Sequence, residues 1–152
     1  MRDTQRTRDF AALAAAFSDL TAHLNQPRLH NRVLEKAGVS VDVALGRLLL
    51  GLHRHGPVGV TEIAERAGRD HTTISRQIGR MVEQGLVERR PSEEDARVTH
   101  IVVTPKGARM ADALREANME LVLPALDDWP DRDVKDIIRL MRRLADDVAN
   151  LG

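Results

Sequence analysis

TEIAERAGRDHTTISRQIGRMVEQGLVERR, residues 61–90, is the stretch that decides the fold. Ile63, Ala64 and Ala67 share one face of a short helix predicted over 60–67, which stops at Gly68. Asp70 carries an N-cap side chain, and behind it Ile74, Ile78, Met81 and Val82 recur at helical spacing as an inward face. The pattern predicts a second helix over 71–84, with Gly85 ending it. Two short helices joined by a glycine-containing turn make a helix-turn-helix unit.

Reading downstream, Leu86 and Val87 precede Arg89 and Arg90 in a strand predicted over 86–90. Val98, Ile101, Val102 and Val103 predict another over 98–103, and the polar PSEEDAR between them makes the pair a β-hairpin. Thr104-Pro105 supplies an N-cap followed by proline at the first helical position, starting a long helix to about 122. Pro124 and Pro130 bracket a break. The final helix, 131–150, bears the stripe Val134, Ile137, Ile138, Met141, Leu144 and Val148.

Upstream, Phe10, Leu13, Phe17, Leu20 and Leu24 predict a helix over 8–25 that Pro27 interrupts. A short helix over 28–37 ends at Gly38, and an apolar helix over 41–54 is closed by Gly56-Pro57. The stripes on the first and last helices have nothing left to cover them in a small monomer. An intertwined, mostly apolar dimer interface answers both; packing within one chain is the other solution.

Composition agrees with a helical bundle around a small sheet. Of 152 residues 42% are apolar, yet Phe10, Phe17 and Trp129 are the only aromatics, so the core must be Leu, Val, Ile and Ala. There is no apolar run of membrane-spanning length, and the N-terminal MRDTQRTRDF lacks the apolar segment of a secretory signal, so the cytoplasm is the expected location. Cysteine is absent, which excludes disulfides, thiolate metal sites and thiol redox sensing. Net charge is zero, but residues 110–152 hold six Lys/Arg against ten Asp/Glu, leaving the first two thirds slightly positive.

A helix that reads the major groove needs short polar or donor side chains near its N-terminus. His71, Thr72, Thr73, Ser75, Arg76 and Arg80 supply them opposite the apolar face. Arginine donates two hydrogen bonds to guanine, and the helix N-terminus favours a phosphate. On the hairpin, Arg89 and Arg90 lie on the first strand and Arg97 near the tip, where an extended guanidinium reaches a narrow minor groove. Asp95 is placed to brace that guanidinium through its carboxylate. Ordinary solvated helices and turns carry the same residue types; the succession helix, turn, helix, hairpin makes the reading specific.

In that succession the chain from VSVDVALG through VTPKGARM, residues 39–110, resembles the MarR family of bacterial transcription regulators. The carriers are TEIAERAG, ISRQIGRMVEQGLVERR, the tip D-A-R and the helix opening VTPKG. The resemblance implies a mainly α fold with a small β-hairpin wing: a winged helix-turn-helix domain over 38–107, with dimerisation helices in 1–37 and 108–152. It also implies a homodimer on double-stranded DNA, with Thr72, Thr73, Ser75 and Arg76 at the major groove. Asp95 and Arg97 become the wing pair, Arg97 in the minor groove. A twofold dimer would set its reading helices roughly 34 Å apart on a palindromic operator. Repression is the family's common mode, often released by small anionic aromatic compounds held between the dimer helices and the winged domain.

For such an effector, His23 and His30 lie near the join of the first two helices, with Arg28 between them and Arg47 on the next helix. These groups suit a carboxylate or phenolate, and suit a polar surface or interface equally. His53 and His55 straddle a helix end as dipole partners, and His100 on its strand points to solvent. No metal, cofactor or membrane partner is expected. An enzyme is disfavoured: the chain has no phosphate-binding glycine loop, no G-x-S-x-G, no H-E-x-x-H and no cysteine nucleophile. The alternatives left open are a winged-helix protein-interaction module and a regulator without an effector.

Overall fold

The computed structural model describes residues 2–151, with side chains from residue 4 onward. The chain divides into two compact units, one ending at Ala117 and one beginning at Asn118. In the first unit, α1 (Arg2–Leu24) and α2 (Pro27–Ala37) are separated by the break at Pro27, and Gly38 closes α2 with a left-handed backbone at φ 65°. Helix α3 (Val43–His55) is followed by a two-residue strand β1 (Val58–Gly59), then α4 (Val60–Ala67) and α5 (His71–Glu83). Strands β2 (Val87–Pro91) and β3 (Thr99–Val103) form the hairpin, and α6 (Pro105–Val122) follows it.

Leu45, Leu49 and Leu52 line one side of α3 at helical spacing and meet Ile63 of α4, Ile74, Ile78 and Met81 of α5, and Leu86, Val87 and Ile101 from the hairpin. Each such aliphatic side chain stabilises the fold by about 1.5–3 kcal/mol on burial. Val82 is the exception on α5. It is 38% exposed, because Ile74, Ile78 and Met81 set the centre of the buried stripe and leave it at the edge, on the last turn.

The sheet is antiparallel in the order β1-β3-β2, so β3 is central and Ile101 pairs with both Val58 and Arg89. The hairpin was legible from the apolar runs that flank the polar PSEEDAR, whereas β1 is too short to carry such a signal. Val58 alone marks it, buried under the sheet.

Where the hairpin hands over to α6, two residues grip the turn that follows α5. The Thr104 hydroxyl donates to the Gly85 carbonyl at 2.7 Å and accepts from the Gly107 N–H at 3.1 Å. Lys106 Nζ donates to the Gln84 carbonyl at 2.7 Å. Gly107 is there because nothing larger fits: a Cβ at that position would overlap the Leu86 carbonyl oxygen and stand 2.9 Å from a Val103 methyl. Gly85, at φ 68°, makes the left-handed turn between α5 and β2.

The second unit contains the last turn of α6, a 3-10 turn over Leu123–Leu126 and helix α7 (Asp131–Ala149). No residue of α7 is buried; Ile138 is 64% exposed and Val148 56%. Trp129, just ahead of α7, is also exposed. Among the described residues no helix is long and apolar enough to cross a membrane.

Candidate nucleic-acid interface

Helix α5 is started by Asp70, whose carboxylate accepts from the Thr73 N–H at 2.8 Å and from the Thr73 hydroxyl at 2.6 Å. The Thr73 hydroxyl, and then its N–H, hold Asp70 below the usual carboxylate range. Gly68, at φ 59°, ends α4 and makes room for the turn into that cap. Apolar residues pull one side of α5 into the core, so its polar side faces outward by default. His71, Thr72, Arg76 and Arg80 are exposed there, while Thr73 and Ser75 are half-buried.

The two arginines of this face differ. Arg76 has no ion-pair partner among the described residues. Arg80 turns back to Asp42, 2.8 Å away. Asp42 is the N-cap of α3 and accepts from the Leu45 N–H at 2.8 Å. That backbone donor first, and the Arg80 guanidinium after it, depress the Asp42 carboxyl below its ordinary range. Arg80 therefore ties α5 to α3. Sequence reading missed this because residues 42 and 80 are far apart in the chain.

On the wing, Arg89, Arg90, Asp95 and Arg97 are all exposed. Arg90 pairs with Glu88 on its own strand. Asp95 braces Arg97 through the backbone: its carboxylate accepts from the Arg97 N–H at 2.9 Å, and its carbonyl accepts from Val98. The expected contact was with the guanidinium. A two-residue separation forms an Asx turn instead, leaving the Arg97 guanidinium without an ion-pair partner among the described residues. Arg89 is likewise unpaired there.

The four residues suggested for a small ligand do not converge. His23 and His30 each bond through Nδ1 to the carbonyl four residues back, Asp19 and Gln26. Arg28 is exposed, and Arg47 donates to the Asn25 side-chain carbonyl. Of the four, Arg47 lines a cleft of about 340 Å³ between α3, α4 and α5. His55, Arg66 and Arg69 share its lining; sequence reading took His55 only as a helix-end dipole partner and did not single out the two arginines. The signal was present: Arg47, Gly51 and His55 fall four apart on one face of α3. His53 approaches Asp112 at 3.5 Å, and His100 is half-buried on the central strand. Among the described residues no three His, Asp or Glu side chains gather to hold a metal ion.

A capped, outward-facing second helix beside an arginine-bearing hairpin defines the class: a winged helix-turn-helix domain. Residues 44–99 match the model of the MarR family. The HTH-type transcriptional repressor IacR of Pseudomonas putida is 31% identical over 110 residues, covering 72% of this chain and 65% of that protein. The transcriptional repressor MprA of Escherichia coli (strain K12) is 25% identical over 104 residues, covering 67% of this chain and 59% of its own. The match thus spans less than two thirds of these two relatives. A MarR family protein from Bacillus stearothermophilus superposes with a TM-score of 0.79 at 21% identity, over 94% of this chain and 97% of that one, a likeness of fold. The chain carries a winged-helix domain of the MarR family, whose members are transcription regulators and not enzymes.

Proposed function

We propose that this chain is a sequence-specific DNA-binding transcription regulator, a repressor that grips a pseudo-palindromic operator as a homodimer and is released by a small-molecule ligand such as an aromatic acid. The observation that carries the reading is the pairing of exposed donors on α5, Thr72 and Arg76, with the unpaired Arg97 guanidinium at the wing tip. The helix side chains suit base edges in a major groove, and Arg97 suits the adjoining minor groove. Thr73 and Ser75, half-buried, would contribute hydroxyls close to the backbone, and Arg89 and Arg90 would meet phosphates.

In this reading residues 38–107 read DNA, and 1–37 with 108–152 join the two copies. Support for the joining role comes from each segment taken alone. Phe10 is 71% exposed and Phe17 50% on α1, and α7 presents Ile138 and Val148 to solvent. Exposed apolar stripes of that length mark association surfaces. The repressor sense rests on IacR and MprA, both repressors by name.

The deciding experiment is binding to palindromic duplexes from the chain's own upstream region, titrated against salt. A regulator gives a steep negative slope of log affinity on log salt, because every neutralised phosphate releases counterion. A chain that ignores these duplexes at low ionic strength is a protein-interaction module instead.

A further inference from the structure

We infer that the cleft between α3, α4 and α5 seats a phosphodiester of the DNA backbone beside the groove that α5 enters, held by Arg69 together with Arg47. The inference rests on the proposed DNA-binding function and adds to it a contact that carries no base information. Beneath the cleft, Leu52, Ile63 and Ile74 are each no more than 5% exposed and already belong to the core, so they need no occupant to cover them. The chemistry is that of the rim. Arg47, His55, Arg66 and Arg69 are exposed there, and no carboxylate is among the lining residues. Such a rim suits an anion presented from outside rather than a molecule enclosed by protein.

The rim guanidiniums are not equally committed. Arg66 is held by Glu62 at 2.6 Å across one helical turn. Arg47 spends one amino group on the Asn25 side chain and has further N–H donors to offer. Arg69, in the turn between α4 and α5, has no ion-pair partner among the described residues. Its neighbour Asp70 is no counter-charge for it, because that carboxylate is engaged by the Thr73 N–H and hydroxyl.

Position then decides which anion. Arg69 stands three residues ahead of Thr72, and Gln77, which follows Arg76, lines the same cleft. The cleft is therefore the flank of the reading helix. A helix whose Thr72 and Arg76 meet base edges has a sugar-phosphate strand running along its side. The two non-bridging oxygens of a phosphodiester match the arginine fork, and the Gln77 amide supplies a neutral donor beside it. Held there, the strand fixes the angle at which α5 enters the groove.

Affinity of the full chain is measured against salt on two duplexes, a palindrome from the chain's own upstream region and a shuffled sequence of equal length. Arg69→Gln should weaken both by the same factor and flatten the slope of log affinity on log salt by about one for each copy bound. Arg69→Lys keeps the charge and loses the fork; it should keep the slope and weaken both duplexes less. Neutral methylphosphonate linkages, placed one at a time along the palindrome, identify the phosphate. At the linkage the cleft holds, the modification should weaken the parent about ten-fold and Arg69→Gln far less. Arg47→Gln should blunt the response at that same linkage, so the assignment does not hang on one variant. Circular dichroism should show the parent fold in Arg69→Gln, since the Arg69 N–H that bonds the Ala64 carbonyl survives the substitution.

An unchanged salt slope in Arg69→Gln overturns the inference. So does a loss confined to the palindrome, which would make Arg69 a base reader, and so do methylphosphonate responses that are identical in parent and variants. Calorimetry with inorganic phosphate, without DNA, should show no saturable binding at millimolar concentration. Saturable binding that Arg69→Gln removes would make the cleft a site for the free ion and overturn the backbone assignment. A parent chain that ignores both duplexes sinks the proposed function and this contact with it. A parent that binds them, with slope and linkage responses untouched by Arg69→Gln, sinks this contact alone.

Discussion

Asp42 does two jobs with one carboxylate, capping α3 and holding Arg80. Asn caps a helix as well as Asp does, so Asp42→Asn isolates the second job. Both groups of the pair are largely exposed, so solvent screening keeps the loss to about 0.2–1 kcal/mol. The sign follows from the depressed carboxyl. The charged form is favoured by folding, so its stabilisation is complete above the unfolded value and is lost as pH falls through the folded one. The difference in Tm between parent and variant should be full at neutral pH and close below about pH 4. The variant also frees Arg80, and tighter DNA binding at low salt would show that the guanidinium had been withheld from phosphates. Arg76 and Arg97 are predicted to differ in kind. Arg76→Ala should cost about 1–3 kcal/mol and relax preference among operator variants if it touches a base. Arg97→Ala should weaken operator binding while leaving the dimer intact, and unchanged affinity in a mobility-shift titration would reject its minor-groove role.

At the scale of elements, α5 is moored at both ends. Asp70 fixes its start, Arg80 ties its last turn to α3, and Thr104 with Lys106 holds the carbonyls of Gly85 and Gln84 just beyond it. Gly107 makes that last mooring possible. Gly107→Ala should force the Leu86 carbonyl aside and destabilise the domain by about 1–3 kcal/mol, seen as a lower urea midpoint at unchanged slope. The mooring also shows where sequence reading succeeds and stops. Apolar periodicity with Gly68, Asp70 and Gly85 placed α4 and α5 to within a residue, because those signals are local. The apolar runs on either side of the polar PSEEDAR found the hairpin for the same reason. Strand β1, the Asp42–Arg80 pair and the cleft escaped, since each is made by residues distant in the chain. The wing brace was half legible: Asp95 and Arg97 do bond, but chain geometry at a separation of two selects the amide over the guanidinium.

For the whole molecule, the question is what covers α1 and α7. Obligate dimers bury large apolar areas, and the exposed faces of these helices offer them. Ile138→Asp puts a charge on the α7 stripe and should shift the sedimenting species from dimer toward monomer. Truncation before Asp131 should abolish the dimer; a stable, folded monomer from that truncation contradicts interlocked terminal helices, and a parent chain that sediments as a monomer contradicts the dimer itself. Trp129 supplies an independent view of the same region. It is the chain's only indole, and it belongs to the unit that begins at Asn118. Intrinsic emission excited at the red edge is thus a lamp in one room, placed within 118–152, whereas peptide ellipticity sums over both units. Superimposed melting curves from the two signals would mean that the units unfold as one cooperative block, and separated curves that each keeps its own thermal fate.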